Sequence, residues 1–452
     1  MKEYYHFIGI GGIGMSGVAH LLLKGGWKVS GSDLKENRVT DELKRLGARI
    51  YIGHSAQNIS DQSAVVYSSA VKEDNPEMRQ AKKSGIPLLK RAEALALLMR
   101  NKTAITIAGS HGKTTTTSLI SYMLLEAGLC PTVAIGGILK NIDTNACLGS
   151  GEFFVAEADE SDGSFLCYQP KYSIITNVDR EHLDYYRNFE NELKAFKDFI
   201  RRTQEGGSCF ACSDDLNLKK LFSDYEGKVV FFGLNEPADI CARNIELNGL
   251  SSDFDCFFKG KFISRFHLAL GGRHNISNAL AVIGLGLELK IDLGHIRRTL
   301  EGYKGAGRRL EIKFKSDKYL VLDDYAHHPS EIKATLAAVA NLKTERKIVV
   351  FQPHRYSRTQ LLLNEFGDCF GQADYLIITD IYAASEQPID GVNALVLLNK
   401  IKELHPDRQV VYLAKEKIAE FLLDFMRAGD LVITLGAGDI VRVADALAEK
   451  LK

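Results

Sequence analysis

A three-domain α/β protein is the fold class that this sequence predicts. The N-terminal and C-terminal domains read as Rossmann-like, and the central one as a P-loop ATPase-like parallel sheet with an antiparallel patch. Three observations predict it. Apolar runs of strand length alternate with amphipathic runs of helix length along most of the chain. Two of these units carry a glycine-rich turn between strand and helix, at Gly9–Gly14 and at Gly109–Gly112. The chain has 452 residues, more than one ordinary core accommodates.

Composition narrows the class of function. Hydrophobic residues make up 45% and charged residues 25%, an ordinary globular balance. Lys+Arg and Asp+Glu are 57 each, so no charge excess points to nucleic acid or a membrane surface. No apolar run is long enough for a membrane span. Met1-Lys2-Glu3-Tyr4-Tyr5 leads directly into a strand and predicts no secretory leader. Eight scattered cysteines suit reduced thiols and a cytoplasmic protein. Cys209 and Cys212 form a lone C-x-x-C pair and read as buried thiols.

The first domain, 1–100, opens with an apolar strand at 5–8. Gly9-Ile10-Gly11-Gly12-Ile13-Gly14 follows, then a helix from Met15 to Lys24. Glycines there permit a tight turn and let backbone N–H groups approach a diphosphate at the helix N-terminus. A second strand, 27–30, leads to Asp33, about 20 residues beyond the loop, where an acid commonly meets ribose hydroxyls. Further strand–helix alternation runs through 49–52, 64–68 and 76–84, and Asn101-Lys102 reads as a join.

The second domain, 101–306, begins with the strand 104–108 and the loop Gly109-Ser110-His111-Gly112-Lys113-Thr114-Thr115. A glycine loop opening a helix, with a lysine and a hydroxyl, suits the β- and γ-phosphates of a nucleoside triphosphate and its Mg²⁺. The match to the Walker pattern is partial, because Ile107 stands where its first glycine belongs. Two buried strands, 153–156 and 172–176, end in acidic segments, Glu157 to Asp162 and Asp179 to Asp184, the second with His182. Ligands of open α/β sheets lie at the carboxyl ends of strands, so these acids are expected near Lys113 as oxygen ligands for a cation. Residues 240–268 read as an antiparallel patch. His274, Asn275 and Asn278 then open a helix, and the two asparagines, one turn apart, suit either an adenine edge or capping.

Gly302 to Arg309 is a glycine-rich hinge with two arginines, placing the third domain at 307–452. Its strands, 320–322, 348–351, 375–378, 410–412 and 431–434, predict another doubly wound sheet. Two of them end in Asp323 to Pro329 and in Phe351 to Arg358, and arginines of the second segment suit bidentate capture of carboxylate or phosphate. A dehydrogenase would use the first glycine loop and leave the second idle. A plain nucleotide switch would do the reverse. An enzyme that binds ATP and a nucleotide-linked substrate uses both.

On Phe7–Ser16, Gly109–Thr114, Glu157–Phe165, Arg273–Asn275, Asp324–Pro329 and Gln352–Arg358, which occur in order across all three domains, the chain resembles the Mur ligases. Ser110 stands where that family usually has threonine. The resemblance implies ATP-dependent joining of L-alanine to the lactyl carboxylate of UDP-N-acetylmuramate through an acyl phosphate. Gln352–Arg358 favours alanine addition over attachment of a recycled peptide. It implies that Gly9, Gly11, Gly12, Ile13, Gly14, Asp33 and Ser69 hold the UDP-linked substrate. Gly109 to Thr115, Asn275 and Asn278 would hold ATP, with Lys113, His182 and Arg308 catalytic. Two Mg²⁺ ions are expected on Thr114, Glu157 and His182, with Glu160 the alternative to Glu157. His327, His354, Arg355 and Arg358 would frame the amino acid. A monomer or weak homodimer is expected, with no nucleic-acid or membrane partner.

Overall fold

The computed structural model describes residues 3–68, 71–384 and 386–452. Three sheets succeed one another along the chain. The first holds β1 (Tyr4–Ile8), β2 (Lys28–Asp33), β3 (Arg49–Ile52), β4 (Ala64–Tyr67) and β5 (Leu88–Lys90) in the order β3-β2-β1-β4-β5, every pair parallel. The helix Pro76–Lys83 starts at a cap that the sequence supplies. Asn75 Oδ1 accepts from the Glu77 and Met78 N–H groups, and Pro76 fills the first position of the helix Pro76–Lys83.

The second sheet has ten strands: β6 (Thr103–Ala108), β7 (Thr132–Leu139), β8 (Thr144–Cys147), β9 (Phe153–Glu157), β10 (Tyr172–Ile175), β11 (Ser208–Cys212), β12 (Lys228–Gly233), β13 (Ile240–Asn248), β14 (Ser251–Phe258) and β15 (Lys261–Leu268). Their order is β15-β14-β13-β12-β11-β10-β6-β9-β7-β8. β6 lies between β9 and β10, parallel to both, so the residues after these three strands emerge side by side. The helix Lys113–Glu126 is rich in threonine and serine yet buried on β6. Its hydroxyls satisfy themselves on carbonyls four residues back: Thr117 to Lys113, Ser118 to Thr114 and Ser121 to Thr117, at 2.6–2.8 Å.

The third sheet comprises β16 (Glu311–Lys315), β17 (Tyr319–Asp324), β18 (Arg346–Phe351), β19 (Tyr375–Ile378), β20 (Val410–Tyr412) and β21 (Asp430–Leu435), ordered β16-β17-β21-β18-β19-β20. Both faces are covered, and the strand period divides the core accordingly. Ile348 and Val350 pack into one apolar cluster, and Val349 and Phe351 into the other. β16 is an antiparallel edge that the alternation pattern does not reveal.

The chain forms two compact units. One is Met1–Arg243 with Asp255–Phe266 and Ser277–Lys304; the other is Asn244–Phe254 with His267–Ile276 and Gly305–Lys452. The cysteines are all free. Cys209 lies against Thr203 and Tyr225, and Cys212 against Ser277, as separate buried thiols. Among the described residues no helix is long and apolar enough to cross a membrane.

Candidate functional site

In the first unit the loop after β6 is fastened to the segment after β10. The Ser110 N–H donates to the Asn177 carbonyl at 3.1 Å, and the His111 N–H to Asn177 Oδ1 at 2.9 Å. The Asp179 N–H donates to Ser110 Oγ at 2.8 Å. Gly109 has φ +127°, and a Cβ there would lie 2.2 Å from Thr176 Oγ1. Gly112 has φ +84°, and its Cβ would lie 2.7 Å from Asn278 Oδ1. Both positions therefore exclude a side chain on sterics and on backbone conformation. Asn278 is thus against the loop. Asn275, one turn earlier on the helix Arg273–Glu288, donates its amide to the Gly271 carbonyl at 2.8 Å, so the two amides do different work.

Lys113 curls back over its own loop. Its Nζ donates to the Gly109 carbonyl at 2.5 Å, the Ser110 carbonyl at 3.1 Å and Glu160 Oε1 at 2.8 Å. Burial alone would lower its pKa. The charges of Glu160 and then Asp159 more than offset that and hold the ammonium well above the usual lysine range. Glu160 is fully buried, and its Oε2 has no hydrogen-bond partner among the described residues. His182 Nε2 lies 3.6 Å from Glu160 Oε1 and 3.4 Å from Glu181 Oε2. One ligand atom from each of Glu160, Glu181 and His182 falls within 4.8 Å of the others, an oxygen–oxygen–nitrogen set suited to a divalent cation. His182 adopts a left-handed φ of +55°, uncommon for a residue with a Cβ. Burial disfavours its charged form, but Glu160 and Glu181 outweigh burial and raise its pKa.

The acid expected to share a cation with His182 was Glu157, with Glu160 as the alternative. Glu157 Oε1 accepts from the Gly136 N–H at 2.8 Å, whereas Glu160 is the acid gathered with His182. Glu181 was not singled out from the sequence. Its signal was present: it follows β10 and precedes the histidine directly. Thr114 is buried at the start of the helix beside Lys113.

The first glycine loop is held from within. The Gly9 and Ile10 N–H groups donate to the Ser32 carbonyl at 2.8 and 3.0 Å, and the Gly11 N–H to Asp33 Oδ2 at 2.8 Å. Below it lies a buried polar hub. Glu77 accepts from Ser32 Oγ at 2.6 Å and from Asn58 Nδ2 at 2.6 Å, with His54 Nδ1 at 3.1 Å. Ile13 is 46% exposed, and its carbonyl accepts from Asn145 Nδ2 at 2.8 Å. Gly12 and Gly14 open the helix Ile13–Lys24. Ser69 lies outside the described residues.

In the second unit the residues after β17 and β18 form a ring-stacked group. The His327 and His354 rings are 5.5 Å apart, and His354 stacks on Tyr382 at 5.7 Å with 8° between planes. An Arg358 guanidinium nitrogen lies 3.2 Å from His354 Nδ1, which accepts only as neutral imidazole. Burial, then the charges of His327 and Arg358, lower the His354 pKa to about 3. Arg355 has φ +70°, and its N–H donates to the Tyr382 carbonyl. Arg308 is committed within this unit: Nε to Asp323 Oδ2 at 2.9 Å, and Nη1 and Nη2 to the Gly438 and Gly436 carbonyls at 2.8 and 2.6 Å. The Arg308 and Arg309 guanidinium groups each lie 5.2 Å from the Tyr325 ring centre. Neither Tyr325 nor Tyr382 was singled out as a site residue from sequence.

Comparison with known proteins adds an independent line. The model "Mur ligase family, catalytic domain" matches residues 4–103, "Mur ligase middle domain" residues 107–286, and "Mur ligase, glutamate ligase domain" residues 308–438. The UDP-N-acetylmuramate–L-alanine ligase of Pelotomaculum thermopropionicum is 46% identical, with 100% of this chain and 98% of that protein aligned. The protein of the same name from Aquifex aeolicus is 48% identical over 96% of this chain and 95% of its own length. The crystal structure of UDP-N-acetylmuramate-alanine ligase MurC from Thermotoga maritima superposes with a TM-score of 0.84 at 30% identity, covering 99% of each chain. A murein peptide ligase structure from Psychrobacter arcticus shares the fold, with a TM-score of 0.74 at 21% identity and 99% and 98% coverage.

Proposed function

The chain belongs to the Mur ligase family, and from that membership we propose how its residues carry out the family's chemistry. It is an ATP-dependent ligase that joins L-alanine to UDP-N-acetylmuramate in peptidoglycan synthesis. The reaction brings two anions together, the lactyl carboxylate and the γ-phosphate of ATP, so the site must neutralise both.

In our reading the loop Gly109–Thr115 cradles the ATP phosphates, and Asn278, packed on Gly112, borders the nucleotide, with Asn275 also on the adenine side. Lys113 exchanges its loop carbonyls for phosphate oxygens and follows the phosphoryl group to the carboxylate. The acyl phosphate that results is attacked by the amine of L-alanine, and phosphate leaves. Thr114, Glu160, Glu181 and His182 would hold Mg²⁺, with Glu157 adjoining. The ion would supply charge neutralisation and a fixed geometry for the phosphoryl oxygens. The Glu160 oxygen that has no hydrogen-bond partner among the described residues is what such an ion would satisfy. Gly9, Gly11, Gly12, Ile13, Gly14 and Asp33 hold the UDP diphosphate and ribose. His327, His354, Arg355 and Arg358 frame the amino acid, an arginine taking its carboxylate. Arg308 supports that pocket through the Gly436 and Gly438 carbonyls. We divide the chain at 100/101 and 306/307, and place it in the cytoplasm as a monomer or weak homodimer.

One observation carries this reading: the Lys113 ammonium, on a glycine loop opening a helix, lies 2.8 Å from a buried carboxylate grouped with Glu181 and His182. Phosphate release is the test, measured with ATP, UDP-N-acetylmuramate and an amino-acid panel. Release that requires all three, with alanine the best amine, is the expected result. Release without the UDP-linked substrate, or greater release with a tripeptide than with alanine, would refute it.

A further inference from the structure

Arg91 is the first residue of the helix Arg91–Met99 and directly follows β5. It therefore lies at the carboxyl edge of the first sheet, the edge that also carries the Gly9–Gly14 loop after β1 and Asp33 at the end of β2. Its side chain is in contact with that loop. A Cβ on Gly14 would lie 3.1 Å from Arg91 Cδ and 3.4 Å from both Nε and Nη1. In the other direction its Nη2 is 3.6 Å from Asp159 Oδ2, two residues beyond β9. The guanidinium thus stands between the first glycine loop and the acidic segment above Lys113.

The donors of this arginine are unspent. Among the described residues its guanidinium makes no hydrogen bond, and the approach to Asp159 is a loose ion pair. The two side chains are 28% and 41% exposed, so the pair contributes little as a staple. Arg308 is the contrast, since all three of its guanidinium nitrogens are engaged. A second observation points the same way. The Tyr168 hydroxyl is buried without a partner among the described residues, in the electrostatic range of Arg91 and Asp159. A guanidinium that makes no hydrogen bond among the described residues suits an anion that the protein does not itself supply.

We propose that Arg91 binds the anionic part of the UDP-linked substrate, the diphosphate or the lactyl carboxylate, on its way from the Gly9–Gly14 loop to the phosphoryl donor. The inference rests on reading that loop as the UDP-substrate site. Asp159 then serves as a placeholder partner. At 3.6 Å it faces the guanidinium without fixing it by a hydrogen bond. Arriving substrate exchanges one carboxylate partner for a bidentate anion, and the guanidinium turns on its stem without leaving Gly14.

The experiment measures binding by calorimetry without ATP, for UDP and for UDP-N-acetylmuramate, in wild type, Arg91→Met, Arg91→Lys and Gly11→Ala. Methionine keeps the stem against Gly14 and removes the charge. Loss of charge-assisted hydrogen bonds to an anion predicts weakening of about 10- to 100-fold in Arg91→Met, partly recovered in Arg91→Lys, with an unchanged KM for ATP. Equal weakening for both ligands assigns Arg91 to the diphosphate. Weakening for UDP-N-acetylmuramate alone assigns it to the lactyl carboxylate. Wild-type affinity for both in Arg91→Met overturns the proposal. So does a parallel rise of every KM together with a lower Tm, the signature of a packing role. Gly11→Ala separates the two readings, because its Cβ would meet Asp33 Oδ2 at 2.9 Å and Asn37 Nδ2 at 2.8 Å. If that variant binds like wild type, the loop assignment fails; if it is weakened while Arg91→Met is not, only the role of Arg91 fails.

Discussion

Removing the Lys113 ammonium should damage stability and catalysis by different routes, and the two can be separated. In Lys113→Ala, Glu160 remains fully buried with its positive partner gone and His182 and Glu181 as neighbours. Breaking a buried pair in this way costs about 3–5 kcal/mol. The carboxylate has an escape, because it can take a proton. An ordinary glutamate takes one near pH 4.3, and each pH unit above that costs about 1.4 kcal/mol. The escape therefore caps the penalty at about 4 kcal/mol at pH 7 and about 1 kcal/mol at pH 5.

Denaturant midpoints in EDTA, read at pH 7 and pH 5 for wild type, Lys113→Ala and Lys113→Ala with Glu160→Gln, test this. Lys113→Ala should lose several kcal/mol at pH 7 and recover most of it by pH 5. The double variant cannot ionise at 160 and should show little of that pH dependence. Phosphate release should fall by about 10³-fold or more in both, since charge on the transferring group is lost either way, while UDP-substrate binding persists. A pH-independent penalty in Lys113→Ala would refute the buried-pair argument. Normal turnover would refute the phosphate-loop assignment.

Three further outcomes are expected. Arg355→Ala should raise the KM for alanine by at least about 10-fold and leave that for ATP near its wild-type value, as loss of a charge-assisted carboxylate bond requires; an unchanged alanine KM removes Arg355 from the pocket. His354 has its folded pKa depressed to about 3, so its stabilisation is present above the unfolded value and is lost as pH falls. Between pH 7 and pH 5 that loss is up to about 2 kcal/mol, and His354→Asn should flatten the acid limb of a stability profile by this amount. Glu77 is buried among Ser32, Asn58 and His54 beneath the first glycine loop, and Glu77→Ala should raise the KM for UDP-N-acetylmuramate more than that for ATP, while equal shifts would show only general loosening.

Most of the architecture was legible because buried parallel strands are written as apolar runs and their ends as polar punctuation. β1, β6, β9, β10, β18 and β21 all fall on such runs. The edges β8 and β16, and β7 beside β8, were not legible, since strands at a sheet margin carry no continuous apolar run. The two glycine loops were legible as strand-to-helix turns because glycine clusters have few other uses in that position. Gly109 and Gly112 had to be glycine, and the structure gives the reason in Thr176 and Asn278, which are 67 and 166 residues away by number. Nothing local to the loop names those partners.

The acids and arginines were harder, for one common physical reason. A charged side chain is defined by what it touches, and the sequence prints only its type. Glu157 ends β9, Glu160 stands three residues on, and the two are equivalent by composition, but Glu157 accepts from the Gly136 N–H on β7 and Glu160 from Lys113. Arg308 and Arg91 differ in the same way. Arg308 sits in a glycine-rich segment that advertises an anion site, yet its guanidinium is filled by Asp323 and by two carbonyls of the loop after β21. Arg91 sits in an unremarked Leu-Lys-Arg-Ala stretch and, among the described residues, makes no hydrogen bond beside the first glycine loop. Binding an anion requires donors that folding has not already consumed. The useful question for a cation near a site is therefore how many of its hydrogen bonds the protein has left unmade, and only the folded chain answers it.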